Sequence, residues 1–70
     1  MHSGRSVPQI ERFIRQEINA GRSAEICEEE IADTAGDENV KATVEQLCST
    51  NSWRVREDFK RDVYIFYSRS

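Results

Sequence analysis

The sequence predicts a small α+β domain in which three helices are followed by a C-terminal β-hairpin. Two observations carry this prediction. Residues 28–47 place apolar side chains at helical spacings on both sides of Gly36, which is the pattern of a helix-turn-helix. From Trp53 the period changes: apolar and charged residues alternate over residues 53–57, and residues 62–68 are rich in β-branched and aromatic residues, as strands are. A chain of 70 residues is long enough for one domain, so the helices and the hairpin must share one small core.

The composition is that of a folded, soluble protein. Hydrophobic residues make up 37% of the chain and charged residues 33%, which is too apolar for a disordered tail. No apolar run is long enough to span a membrane. Residues 1–6 lack the apolar segment of a secretory signal. We therefore expect an intracellular protein, of the cytoplasm or the nucleus.

The net charge of −3 is distributed unevenly along the chain. Residues 23–50 carry eight carboxylates against one lysine, a formal charge of −7. Residues 1–22 and residues 51–70 each carry a formal charge of +2. The helix-turn-helix is therefore acidic, whereas the first helix and the hairpin are basic.

The first helix follows a short tail. Residues 1–6 are polar and small, which predicts a flexible N-terminal tail ahead of a domain over residues 7–70. Pro8 suits the first turn of a helix, because its missing N–H would have no partner there. The helix is expected to close near Ala20, at Gly21. Its apolar face consists of Ile10, Phe13, Ile14 and Ile18.

The next segment leaves two alternatives open. Residues 22–26 are either a short strand that pairs with the later hairpin, or the start of the second helix with Ser23 as its N-cap. The carboxylates of residues 28–30 favour a helix that begins near Cys27, because they face the positive end of the helix dipole. Gly36 is expected to end this helix, and Asp37 to cap a third helix that runs from about Glu38 to residue 49 or 50.

The hairpin has two possible registers. With an even loop, Trp53 pairs with Phe66 and Val55 with Tyr64; with an odd loop, Tyr64 and Phe66 lie outside. Both registers leave large apolar side chains on a second face beside the two arginines of the first strand, which predicts an apolar contact patch surrounded by cations. In the even register that face carries Val63, Ile65 and Tyr67.

The predicted core combines the apolar faces of all these elements. It consists of Ile10, Phe13, Ile14, Ile18, Ile26, Ile31, Ala35, Val40, Val44, Leu47, Trp53 and Val55.

The order of these elements resembles the winged helix-turn-helix superfamily over residues 7–68. The resemblance is carried by residues 30–32 with Gly36, by the apolar stripe of the third helix (Val40, Val44, Leu47), and by the hairpin of residues 53–67. It implies a small winged helix-turn-helix fold with the hairpin as its wing. The Z-nucleic-acid-binding domains have a similar size and order, but this chain does not match their motif. It has Lys41 and Glu45 in place of their Asn and Tyr, and its wing has no proline.

The resemblance also implies nucleic-acid binding. Members of the superfamily commonly lay the third helix in the DNA major groove, with side chains such as Asn and Lys reading base edges. The acidic charge of this helix-turn-helix opposes phosphate, so we expect a regulatory module that contacts the DNA or RNA backbone through its basic wing and first helix. On the first helix the cations are Arg12 and Arg15. The candidate site residues are Asn39, Lys41, Thr43, Arg54, Arg56, Phe59, Lys60 and Arg61, with Gln46 as a further reader.

The alternative is a protein-interaction winged helix. The acidic helices would then meet a basic partner, or an exposed aromatic strand face would mediate binding or dimerisation. Substitutions in residues 28–30, or of Tyr64 and Phe66, would test this hypothesis.

No chemistry for an enzyme, a metal or a cofactor is expected. Cys27 and Cys48 are either small buried hydrophobes or a disulfide, and the single histidine does not complete a zinc site. Adjacent carboxylates in residues 28–30 point about 100° apart on a helix and do not converge. No nucleophile has a base within the predicted fold.

Overall fold

The computed structural model describes residues 6–68, which form three helices and one three-stranded antiparallel sheet. Strands β1 and β2 both pair with β3, so the strand order is β1-β3-β2. This confirms the predicted fold class, a small α+β domain whose layout is consistent with a winged helix. In chain order the elements are α1 (Val7–Asn19), β1 (Ala24–Cys27), α2 (Glu28–Ala35), a 3-10 turn (Asp37–Asn39), α3 (Val40–Asn51), β2 (Trp53–Asp58) and β3 (Val63–Ser68).

Helix α1 is closed at both ends by local hydrogen bonds. Ser6 and Gln9 form a capping box, in which the Ser6 amide donates to Gln9 Oε1 at 2.8 Å and the Gln9 amide donates to Ser6 Oγ at 3.4 Å. At the other end Gly21 takes a φ of +84°, and the Arg22 amide donates to the Glu17 carbonyl at 2.9 Å. Ser6, which was predicted as the last residue of the tail, is therefore the N-cap of α1, while residues 1–5 of the predicted tail lie outside the described residues.

The segment before α2 is a strand, so Ser23 is not a helix cap. Strand β1 buries Ala24 and Ile26 and exposes the two residues that alternate with them. Helix α2 begins at Glu28, and its first turn holds three glutamates, as the dipole argument predicts. The Glu28 amide donates to the Asp62 carbonyl at 2.8 Å, which ties the start of α2 to the hairpin loop.

The connection between α2 and α3 differs from the expectation. Gly36 ends α2 with a φ of +96°, as predicted, but Asp37 opens a 3-10 turn and caps nothing. Helix α3 therefore begins at Val40, two residues later than expected. The Asn39 side chain instead bonds backwards, with Nδ2 donating to the Ala35 carbonyl at 2.8 Å. This bond satisfies a terminal carbonyl of α2 that the turn leaves without a helical partner.

We expect Gly36→Ala to lower the free energy of unfolding by about 2 kcal/mol, because φ +96° with ψ 145° is a region that only glycine occupies without strain. A Cβ there would also lie 3.4 Å from Asn39 Nδ2. Urea unfolding followed by circular dichroism measures the change. Gly21→Ala is the matched control and should cost only about 1 kcal/mol, since nothing lies within 4 Å of its Cβ position. A Gly36 variant as stable as the wild type would contradict the turn.

The core lies between the helices and one face of the sheet. All the predicted core residues belong to it or pack against it, but four buried residues were not predicted: Ala24, Val63, Tyr64 and Phe66. Phe66 is 0% exposed and meets Trp53 edge to face, with ring centroids 6.4 Å apart. The central strand of the sheet thus contributes the largest of the fully buried side chains.

The hairpin register resolves the two alternatives. The loop has four residues, 59–62, and Val55 pairs with Phe66 while Trp53 pairs with Ser68. The strand faces predicted for an even loop are therefore confirmed. The partner of each β2 residue, however, lies two residues later in β3 than predicted. Tyr64 and Phe66 face the helices and are buried, so they are not available as an exposed aromatic surface. We call the helix-packed side of the sheet the inner face and the opposite side the outer face.

The cysteines behave differently from the prediction in one respect. Cys27 is exposed at the end of β1 and is therefore not a buried hydrophobe. Its position in the strand turns its side chain to the outer face of the sheet. Cys48 is half-buried on α3, and this burial raises the pKa of its thiol. Both are free thiols.

Candidate nucleic-acid interface

The outer face of the sheet brings together two arginines and two apolar side chains. Arg54 on β2 lies directly across from Tyr67 on β3, and Arg56 lies across from Ile65. Both arginines are exposed, whereas Ile65 and Tyr67 are half-buried. Side chains at such cross-strand positions have Cβ atoms about 5 Å apart. We call these four residues the Arg–Tyr platform.

Among residues 6–68 the cations of the platform have no acidic partner. Within residues 6–68 the ion pairs involve Arg15, Arg22 and Arg61, and neither Arg54 nor Arg56 takes part in one. Two unpaired guanidinium groups beside an aromatic ring form a surface complementary to a polyanion with aromatic bases.

Arg61 closes one end of the platform. Its Nη2 lies 3.2 Å from Glu25 Oε2 on β1, and its Nε lies 3.0 Å from Asp58 Oδ2 on β2. Because these two strands flank β3, the Arg61 side chain must cross the outer face of β3. Val63 is only 8% exposed, although it belongs to this face. Arg61, which the sequence suggests as a phosphate contact, is therefore occupied by carboxylates.

We expect the Asp58 carboxyl to titrate below the ordinary aspartate range, because the hydrogen bond from Arg61 lowers its pKa. The folded pKa lies below the unfolded one, so the stabilisation by Asp58 is present above about pH 4 and is lost as the pH falls through the folded pKa. NMR titration of the carboxyl carbon measures this pKa. Arg61→Ala should raise the pKa of Asp58 and leave that of Glu17 low, because Glu17 is paired with Arg22. An unchanged Asp58 pKa in the variant would contradict the ion pair.

The loop of the hairpin presents two further candidates. Phe59 is 78% exposed, which makes it the most exposed large hydrophobic side chain of the described residues. Lys60 is also exposed, and its amide donates to Asp58 Oδ1 at 3.1 Å, so its backbone position is held by the turn. These two residues lie beyond Arg61, at the tip of the wing.

The candidates on and next to α3 lie on the other side of the molecule. Lys41 is exposed, Thr43 is half-buried, and Asn39 uses its amide nitrogen to cap α2. Gln46 donates through Nε2 to Thr50 Oγ1 at 3.2 Å. The structure therefore divides the predicted site residues between two faces, with α3 on the inner side and the Arg–Tyr platform on the outer side.

The groove between α3 and the wing is acidic. It has a volume of about 230 Å³, an apolar floor of Val44, Val55 and Tyr64, and a rim that carries Lys41 against Glu45 and Glu57. Burial raises the pKa of Tyr64, and the nearby charge of Glu57 raises it further. Two carboxylates at this position would repel a phosphate backbone that lay between the helix and the wing.

The cations of α1 are also separated from the platform. Arg12 is exposed, and Arg15 donates to Asn51 Oδ1 at 3.1 Å. Helix α1 packs its buried Ile10 and Ile14 into the core on the inner side of the sheet. Its exposed face therefore points away from the outer face, and the wing and the first helix do not form one continuous basic surface.

The most acidic surface lies around α2. An open cavity of about 620 Å³ is lined by Glu28, Glu29, Asp33 and Asp37, with Arg61 and Asp62 on the hairpin side. Among residues 6–68, no three His, Cys, Asp or Glu side chains come close enough together to hold a metal ion.

Comparison with protein-family models, with curated proteins and with solved structures finds no match to this chain. Of the helices in residues 6–68, none has the combination of length and apolar character that a bilayer-crossing helix requires.

In the even register the sequence already places all four platform residues on one face of the hairpin, but only the two arginines were named as site residues. Arg54 and Arg56 were predicted as contacts because they are basic, but Ile65 and Tyr67 were not among the site residues. The alternation of the β3 residues was the available signal, since it places residues 63, 65 and 67 on one face once the loop length is known.

Proposed function

We propose that this protein is a nucleic-acid-binding winged-helix module that contacts its ligand through the outer face of its wing sheet. The observation that supports this most directly is the pair of exposed arginines, Arg54 and Arg56, that have no acidic partner within residues 6–68. They lie across from Tyr67 and Ile65, so charge and stacking surface occur together.

Docking of α3 in a major groove is disfavoured. Its exposed surface includes Glu45, the preceding turn carries Asp37 and Glu38, and Asn39 is occupied by its bond to Ala35. Affinity for duplex DNA depends largely on neutralising phosphates with cations. Lys41 is the only cation in residues 37–51. The basic outer face is the better candidate, with Lys60 and Phe59 as contacts at the tip.

Fluorescence anisotropy of labelled DNA and RNA, titrated with the protein at 20 mM and at about 150 mM salt, tests the proposal. We expect binding that weakens steeply between the two concentrations, because it rests on phosphate contacts. If none of the oligonucleotides binds at low salt, the proposed function is overturned.

The charge distribution favours one competing function. The carboxylates around α2 form an exposed acidic surface, which is complementary to a basic protein partner. Substituting Glu29 and Asp33 by lysine would abolish capture of such a partner and would leave nucleic-acid binding by the outer face intact or strengthened. Loss of nucleic-acid binding in this variant would count against the outer face.

A further inference from the structure

The width of the outer face restricts which nucleic acid it can hold. Neighbouring strands are about 4.8 Å apart, so the sheet spans only about 10 Å from β1 to β2. The second strand of a duplex would extend past this width on the β1 side, where the strand (Ala24–Cys27) carries no cation for its phosphates and the one charged residue, Glu25, is already paired with Arg61. A single strand can follow the two arginines within the width of the sheet.

The arginines are arranged along one line. Arg54 and Arg56 are two residues apart on β2, which separates them by about 7 Å along the strand direction. Consecutive phosphates of an extended chain can therefore contact consecutive guanidinium groups. Guanidinium groups donate in a fork that matches phosphate oxygens.

Tyr67 lies beside this line of arginines, on the neighbouring strand β3. It is the cross-strand partner of Arg54, and the residue is half-buried on the outer face. In a duplex the faces of the bases are covered by their neighbours, whereas an unpaired base can stack on an aromatic side chain. The Arg61 ion pairs bound the platform at the other end, over Val63.

We propose that the Arg–Tyr platform binds single-stranded nucleic acid, with one base stacked on Tyr67 and neighbouring phosphates held by Arg54 and Arg56. This inference rests on the proposed function and specifies its ligand. It differs from groove reading by α3, because the contact surface is the side of the sheet turned away from the helices.

The test uses four fluorescein-labelled probes: a ten-nucleotide single-stranded DNA, the RNA of the same sequence, a blunt duplex of the same sequence, and a ten-unit abasic DNA backbone. Anisotropy is measured at 20 mM and about 150 mM salt. The wild type should bind at least one single strand about tenfold or more tightly than the duplex and the abasic chain. The DNA and RNA probes distinguish the two sources of single strands.

Substitutions of Tyr67 separate stacking from general apolar contact. Tyr67→Leu keeps an apolar side chain but removes the ring, and should weaken single-strand binding by about five- to a hundredfold while leaving abasic binding unchanged. Tyr67→Phe keeps the ring and should bind like the wild type. Matching heteronuclear NMR spectra establish that both variants are folded.

The outcomes distinguish the single-strand inference from the proposed function. Duplex binding as tight as single-strand binding, or a Tyr67→Leu variant that still prefers the base-containing strand to the abasic one, would overturn the single-strand inference. The proposed function would stand in that case if Arg54→Ala still weakened binding. Failure of all four probes to bind at 20 mM salt would overturn both claims.

Discussion

Replacing Arg54 and Arg56 together by alanine is expected to weaken nucleic-acid binding by about 10- to 100-fold at low salt. Both guanidinium groups are exposed and without an ion pair in the described residues, so their loss should not unfold the domain. The slope of log affinity against log salt should decrease by about 1.4 for a single strand, since each phosphate contact contributes about 0.7. Anisotropy titrations over a range of salt concentrations measure both quantities.

The matched control removes two positive charges from the helical side of the molecule. Arg12 and Lys41 are exposed and lie on α1 and α3, away from the outer face of the sheet. The Arg12→Ala, Lys41→Ala double variant has the same net charge as the double variant of the platform, so a general charge effect would weaken both equally. We expect the control to stay within about threefold of the wild type, because salt screens exposed charges that lie far from the ligand. Equal losses in the two variants would contradict a localised site.

Replacing Phe66 by alanine should cost about 3–5 kcal/mol of unfolding free energy. Phe66 is fully buried on the inner face, where it contacts Trp53 edge to face. A domain of this size has only about 4–10 kcal/mol of stability in total, so the variant should be partly or largely unfolded at 37 °C. Urea unfolding monitored by circular dichroism gives the measurement, and Phe66→Leu, which retains most of the volume, should cost far less.

The neighbouring residue provides the control for this prediction. Ile65 lies on the outer face and is half-buried, so Ile65→Ala should cost about 1 kcal/mol. If Ile65→Ala lowered the unfolding free energy more than Phe66→Ala, then Ile65 and not Phe66 would face the helices. The Arg–Tyr platform would then not exist, because its tyrosine would face the helices.

The helices were predictable because their signals are local and repeated. Val40, Val44 and Leu47 form a helical stripe that is buried as expected, and Gly36 marks the end of α2. The beginning of α3 was less predictable. Asp37 is a good capping residue in isolation, but the Asn39 side chain bonds to Ala35 and holds the turn in a different geometry.

The faces of the hairpin depend on one residue of loop length, which is why the sequence left them open. Asp62 directly precedes the apolar residues of β3, yet it takes a φ of +55° and belongs to the loop. Once it is in the loop, Tyr64 and Phe66 turn inward and Tyr67 turns outward beside Arg54. The ion pairing of Arg61 was equally hard to predict, because only the folded hairpin brings it to Glu25, which is 36 residues away in the chain.

The central claim is that the ligand contacts the outer face of the sheet and leaves α3 free. Amide chemical-shift mapping with a ten-nucleotide single strand tests this most directly, because both surfaces are observed in one experiment. We expect shifts concentrated at Arg54, Arg56, Ile65 and Tyr67, with Ala42 and Glu45 unmoved. Shifts concentrated on α3, with the outer face unchanged, would contradict it.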